Sequence, residues 1–308
     1  MSRGIGEFGV IQELIPEWAA IFVALLTQFG DVWFLGLLVG GMYWLHATKR
    51  DEAAVILGFT IAGLALISLL KHIFALPRPD QLLVPVETVP LIIQPLYEAT
   101  GTASGYGFPS GHALMTTIVY LSLAHRLSIS TRRRRFGGAA LLIVLVCLSR
   151  GALGVHYLVD VIAGIGVGIA FLLGAELLLS RYPSDQASVA FALAVVASAI
   201  NLGVGGGDLD GILLLGTALG TFGGWQLFVL GQQISLHEWS LSRDSPLRTR
   251  GLLAGGALAP LVVVVGIFHL FSLPAYGGIL GLVLAIFILV PLLRQTIPQS
   301  SGSLQRGT

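Results

Sequence analysis

Apolar runs close to the roughly 20 residues that cross a bilayer core recur along this chain, and repeated runs of that length fold as a bundle of membrane-spanning helices. They are Ile11 to Phe29, Asp31 to His46, Ala53 to Phe74, His112 to Leu127, Phe136 to Leu153, Tyr157 to Leu179, Ala187 to Val204, Ile212 to Val229, Leu252 to Leu270 and Tyr276 to Leu293. Composition agrees. Charged residues make up only 11% of the chain, against about 25% in soluble domains. The expected fold is all-α, a polytopic integral membrane bundle. The first run carries Glu13, Pro16 and Glu17 and either spans or lies in the interface as an amphipathic helix. The second is short, so its flanks snorkel or the bilayer thins around it.

Loop charge orients the bundle. If the runs all cross, Lys49, Arg50, Arg126, Arg132 to Arg135, Arg181, Arg243, Arg248, Arg250 and Arg294 fall on the side of both termini. The positive-inside rule makes that side the cytoplasm. The run Thr131-Arg-Arg-Arg-Arg135 reads as a topology anchor that also meets anionic lipid heads. A net charge of +1 offers no electrostatic case for a nucleic-acid partner. The single cysteine, Cys147, lies in an apolar run and reads as a buried, inert thiol. The N-terminus shows no secretory signal pattern, and no processing is expected.

Lys71, Arg78 and Arg150 remain for the opposite face. Cations that break a topology rule usually answer to function. Lys71 and Arg78 bracket the end of the third run, where Pro77 and Pro79 stop the helix. Alone they read more readily as snorkelling interfacial anchors. Gly107-Phe-Pro-Ser110-Gly111-His112 opens the next helix, with Ser110 as its cap and free amides that favour an anion. In Ser149-Arg150-Gly-Ala-Leu-Gly-Val-His156-Tyr-Leu-Val-Asp160, the histidine and aspartate are spaced i, i+4. On a helix their Cβ atoms lie roughly 5–6 Å apart. The carboxylate then orients the imidazole, whose other nitrogen is free as a nucleophile or base. The plainer reading is a helix ion pair beside a snorkelling arginine.

Taken together, Lys71-x6-Arg78-Pro79, Pro109-Ser110-Gly111-His112 and Ser149-Arg150-x5-His156-x3-Asp160 resemble the three signatures of the type-2 phosphatidic acid phosphatase family, whose site is similar to that of the vanadium haloperoxidases. The resemblance covers about residues 11 to 180. It implies a six-helix core with its catalytic loops on one membrane face. It also implies metal-free hydrolysis through a phosphohistidine, with no cofactor. By motif position, His156 is the nucleophile, Asp160 its orienting partner and His112 the acid that protonates the leaving oxygen. Lys71, Arg78, Ser110, the Gly111 amide and Arg150 bind the phosphoryl oxygens. Donors fixed where charge develops suit phosphoryl transfer independently of any resemblance.

The expected domains are residues 1–183, the phosphatase-like core, and 184–308, a region of about four further spans with no assigned role. The expected protein is a cell-membrane lipid phosphatase acting on a lipid phosphomonoester or polyprenyl pyrophosphate. Its catalytic face is non-cytoplasmic, its partners are that substrate and the surrounding lipids, and no nucleic acid is involved. The alternatives are a phosphotransferase, in which a lipid or sugar hydroxyl intercepts the phosphohistidine, and a lipid transporter with a vestigial site. Leu82 to Val86 and Val89 to Leu96 read as interfacial, partly lining a route for a lipid tail and partly a lid on the bundle. Gly164 and Gly168 suit close helix packing within the monomer. Gly205-Gly-Gly-Asp208-Leu-Asp210-Gly211 reads as a polar turn, since it lacks the remaining ligands of a calcium loop. Glu176 and His269, near span ends, need only paired or snorkelling roles.

Overall fold

A computed structural model describes residues 4, 12–13, 15–79, 83–101, 105–235, 246–268 and 272–296. Eleven α-helices occur among them: α1 (Ala20–Thr27), α2 (Val32–Leu45), α3 (Arg50–Phe74), α4 (Gln94–Gly101), α5 (Gly111–Arg126), α6 (Arg132–Ala152), α7 (Leu158–Leu179), α8 (Gln186–Val204), α9 (Leu209–Ser235), α10 (Pro246–Ile267) and α11 (Leu273–Thr296). No strand occurs among the described residues. Seven of these helices are long and apolar enough to cross a membrane. The chain is a multi-pass helical membrane protein.

The first two apolar runs do not form two long helices. Ala20–Gly30 and Val32–Leu45 meet at a 47° bend, by length a broken span or a re-entrant loop. Gly30 lies at the bend. A Cβ there would lie 2.6 Å from Val146 Cγ1 and 2.9 Å from His112 Cδ2, so the backbone rests directly on α5 and α6. The next residue, Asp31, is extended and starts α2.

Contacts divide the chain into residues 1–218 and 219–308, with α9 running across the boundary. In the first unit α5 is the central helix. It is buried almost all round, as a helix enclosed by others must be. Its 16 residues rise about 24 Å, short of the roughly 30 Å hydrocarbon core. Gly164 and Gly168 let α7 approach it closely. A Cβ at Gly164 would lie 2.6 Å from the Ser110 carbonyl oxygen, and one at Gly168 2.9 Å from Thr117 Cβ. The expected glycine packing is therefore a seam within the chain. α8 packs along α3, where a Cβ at Gly58 would meet the Ala190 backbone at 2.8 Å.

At the end of α5 away from His112, Arg126 joins four helices. It donates to both carboxylate oxygens of Glu176 on α7 (2.7 and 3.2 Å), to Glu52 on α3 (2.8 Å) and to Gln186 on α8 (3.1 Å). Its guanidinium also lies over the Phe59 ring, 5.6 Å from the centroid. Only 5% of the Arg126 side chain is exposed. Glu52 and Glu176 are partly exposed, so removing Arg126 costs chiefly its charge-assisted hydrogen bonds, about 2 kcal/mol. Arg126→Met therefore lowers the melting temperature in detergent by several degrees. A combined Arg126→Met and Glu176→Met change recovers part of that loss. Unchanged melting of the single variant would show that the cluster does not hold the bundle together.

In the second unit the later part of α9 packs on α10 and α11 through small residues. A Cβ at Gly223 would lie 2.6 Å from Leu258 Cγ, and one at Gly224 2.8 Å from the Ala285 carbonyl oxygen. Buried Gln226 accepts a hydrogen bond from Arg250 Nη1 at 2.9 Å. His269, noted in the sequence, lies outside the described residues.

Candidate active site

The three motifs are tied together by main-chain bonds before any side chain is considered. Ala75 ends α3 in the left-handed conformation (φ 48°), which turns the chain toward Arg78. The Gly107 N–H donates to the Leu76 carbonyl at 2.8 Å. Glycine suits this close approach, since a Cβ would lie 3.0 Å from the Pro77 carbonyl and 3.1 Å from Arg78 Cα. After a cis Phe108–Pro109 peptide, the Ser110 N–H donates to the Asp160 carbonyl at 2.9 Å. α3 ends, α5 starts, α6 ends and α7 starts at this one place. All eight residues expected at the site are gathered there.

His156 lies in the loop between α6 and α7 and is almost wholly buried. Its Nε2 is 3.0 Å from Arg78 Nη1, which also donates to the Val155 carbonyl at 3.2 Å. A guanidinium has only donors, so Nε2 must be the acceptor and the ring proton sits on Nδ1. Nδ1 faces Asp160 Oδ2 at 3.7 Å, too long for a hydrogen bond. Asp160 meanwhile accepts from the Tyr157 N–H at 3.1 Å, closing the first turn of α7. The expected His–Asp pairing is thus electrostatic, and the carboxylate also serves as a helix cap. Burial first, then Arg150, Arg78, His112 and Lys71, hold the His156 pKa well below the ordinary histidine value. The imidazole is neutral, with a lone pair on Nε2.

Two further cations, Arg150 and Lys71, act on the ring electrostatically. Arg150, at the last turn of α6, is 2% exposed, and its Nε has no hydrogen-bond partner among the described residues. Lys71 reaches the start of α5, where a Cβ on Gly111 would stand 3.9 Å from its Nζ. Ser110 is fully buried and caps α5, its Oγ 3.5 Å from the Ala113 N–H.

Two further residues carry no motif. Asp31 Oδ1 lies 3.0 Å from His112 Nε2, off the line of an ideal hydrogen bond. Thr27 Oγ1 accepts from Arg150 Nη1 at 2.9 Å. Both come from the bent N-terminal pair. A lone aspartate in the apolar start of α2 was the available signal, since a carboxylate at membrane depth generally has a partner.

Around the site, Val84, Val89 and Tyr97 pack with Ala20, Ala24, Leu153 and Val155. The Tyr97 hydroxyl donates to the Val84 carbonyl and accepts its N–H, each at 3.1 Å. Leu91 and Ile92 remain 83% and 90% exposed. The segment thus covers α1 with one face and leaves an apolar tip outside; Leu82 lies outside the described residues. Asp208 accepts the Gly211 N–H at 3.1 Å and lies 3.4 Å from His72 Nε2, so its carboxylate shapes the polar turn.

Two histidines, an aspartate and three cations thus lie together at the helix ends of a membrane bundle. Residues 53–181 match the model of the PAP2 superfamily, consistent with a type-2 phosphatidic acid phosphatase family. Thr27 and Asp31 lie before the matched residues. No curated protein and no solved structure matches the chain.

Proposed function

We propose that the protein is a membrane lipid phosphatase that hydrolyses a lipid phosphomonoester or polyprenyl pyrophosphate through a phosphohistidine on His156. The observation that carries this reading is the His156 Nε2 lone pair, fixed by Arg78 among three cationic side chains. Nε2 attacks phosphorus, and Arg78 transfers its donor from the nitrogen to a phosphoryl oxygen. Lys71, Arg150, Ser110 and the Gly111 amide bind the remaining oxygen charge. As the ester P–O bond breaks, His112 gives its proton to the leaving oxygen. His112 then takes a proton from water, the water oxygen attacks phosphorus, and the P–N bond breaks to release inorganic phosphate. Asp31 holds the His112 ring through both proton transfers.

Exposed apolar side chains beside the site, Ile73, Phe74, Leu91 and Ile92, favour a substrate with a lipid tail. We assign the core to residues 1–183 on the reach of the family resemblance, and the site to the non-cytoplasmic face and the termini to the cytoplasm on the loop charges.

The test is phosphate release by detergent-purified protein from phosphatidic acid, phosphatidylglycerol phosphate, a polyprenyl pyrophosphate and a soluble ester, with EDTA present. Release from a lipid substrate without metal is the expected result. Phosphate appearing only on an added hydroxyl acceptor would replace hydrolysis by transfer. No turnover of any lipid by folded protein would overturn the proposal.

A further inference from the structure

Where α5 ends and α6 begins, at the far end of α5 from His112, a cavity of about 280 Å³ opens between the two helices. Tyr120, Leu123, Leu127 and Leu142 form its apolar wall, and Arg134 and Arg135 stand at its edge. Arg135 Nε is buried and has no hydrogen-bond partner among the described residues. The nearby carboxylates Glu52 and Glu176 are committed to Arg126. No ion pair among the described residues involves Arg132, Arg133, Arg134 or Arg135. Arg132 instead lies over the Phe136 ring, 5.6 Å from its centroid.

We propose that this cavity binds an anionic phospholipid from the leaflet opposite the active site, with part of an acyl chain between α5 and α6 and the phosphodiester on Arg134 and Arg135. Both halves of the ligand are needed to satisfy the place. A free phosphate would leave the leucine wall unfilled, and a zwitterionic lipid would bring a positive group to uncompensated guanidinium ions. Arginine suits the phosphodiester because its fork of donors matches two phosphate oxygens. A phosphodiester also lacks the terminal phosphate that the active site would act on.

The experiment is native mass spectrometry of the full-length protein in detergent, titrated with equal amounts of phosphatidylglycerol and phosphatidylcholine. The wild type is expected to retain phosphatidylglycerol roughly tenfold to thirtyfold better, the effect of two cations near a lipid phosphate. Arg134→Gln with Arg135→Gln abolishes that preference, whereas the charge-matched Arg132→Gln with Arg133→Gln keeps it. Gly138 lines the cavity, and a Cβ there would meet nothing within 4 Å. Gly138→Phe therefore fills the space and displaces both lipids while leaving the melting temperature unchanged. Equal retention of the two lipids by the wild type would overturn the proposal. So would equal losses in the two double variants, which would reduce the effect to bulk charge.

Discussion

His156→Gln lowers kcat/KM for the preferred lipid by at least about 10⁴-fold, a loss of roughly 5.5 kcal/mol of transition-state stabilisation, because no other group can form the covalent intermediate. Glutamine preserves much of the bulk and can still accept from Arg78, so melting should change little. The variant thus separates chemistry from packing. Brief reaction with labelled substrate followed by denaturation should leave an acid-labile, base-stable phosphoryl group on the wild type and none on His156→Gln. The pH profile bears on the same point. With its pKa held well below the ordinary histidine value, His156 keeps its lone pair as pH falls through about 6.5. The acid limb of kcat/KM that belongs to this residue therefore lies below that pH. Full labelling of His156→Gln would move the nucleophile elsewhere.

The motif residues were legible because each motif is local. Lys71 and Arg78 flank one helix end, and His156 and Asp160 flank the start of α7, so closeness in sequence brings them close in space. What spacing could not reveal is how each contact is made. The i, i+4 pattern predicts a direct His156–Asp160 pairing, yet the first turn of α7 gives the carboxylate to the Tyr157 amide and leaves the imidazole at 3.7 Å. Arg78 fixes the tautomer instead, across a separation of 78 residues. Arg126 shows the converse. Counted among the topology-setting cations, it is nearly buried and binds three helices besides its own. Hydropathy located the membrane segments, but an apolar run does not report a bend. At the bend, Gly30 leaves room for α5 and α6 to approach the backbone, a contact that only the folded chain displays.

The bend at Gly30 carries the second large effect. Asp31→Asn lowers kcat by about 10² to 10³-fold, near the contribution of a well-placed general acid, with little change in KM. Asp31 is a positioning residue. It lies against His112 Nε2 at 3.0 Å and acts on the reaction only through that ring. A carboxylate holds the imidazole in one orientation and balances the charge it carries before the first proton transfer and after the second; an asparagine amide can only orient it. The leaving group distinguishes this role from simple packing. A lipid alkoxide needs its proton as the P–O bond breaks, whereas a nitrophenolate leaves without one. Asp31→Asn should therefore lose most of its activity on the lipid and far less on a nitrophenyl phosphate, and Asp31→Glu should restore part of the lipid activity. A variant that loses both substrates equally would make Asp31 a support for the bend, with no part in proton transfer.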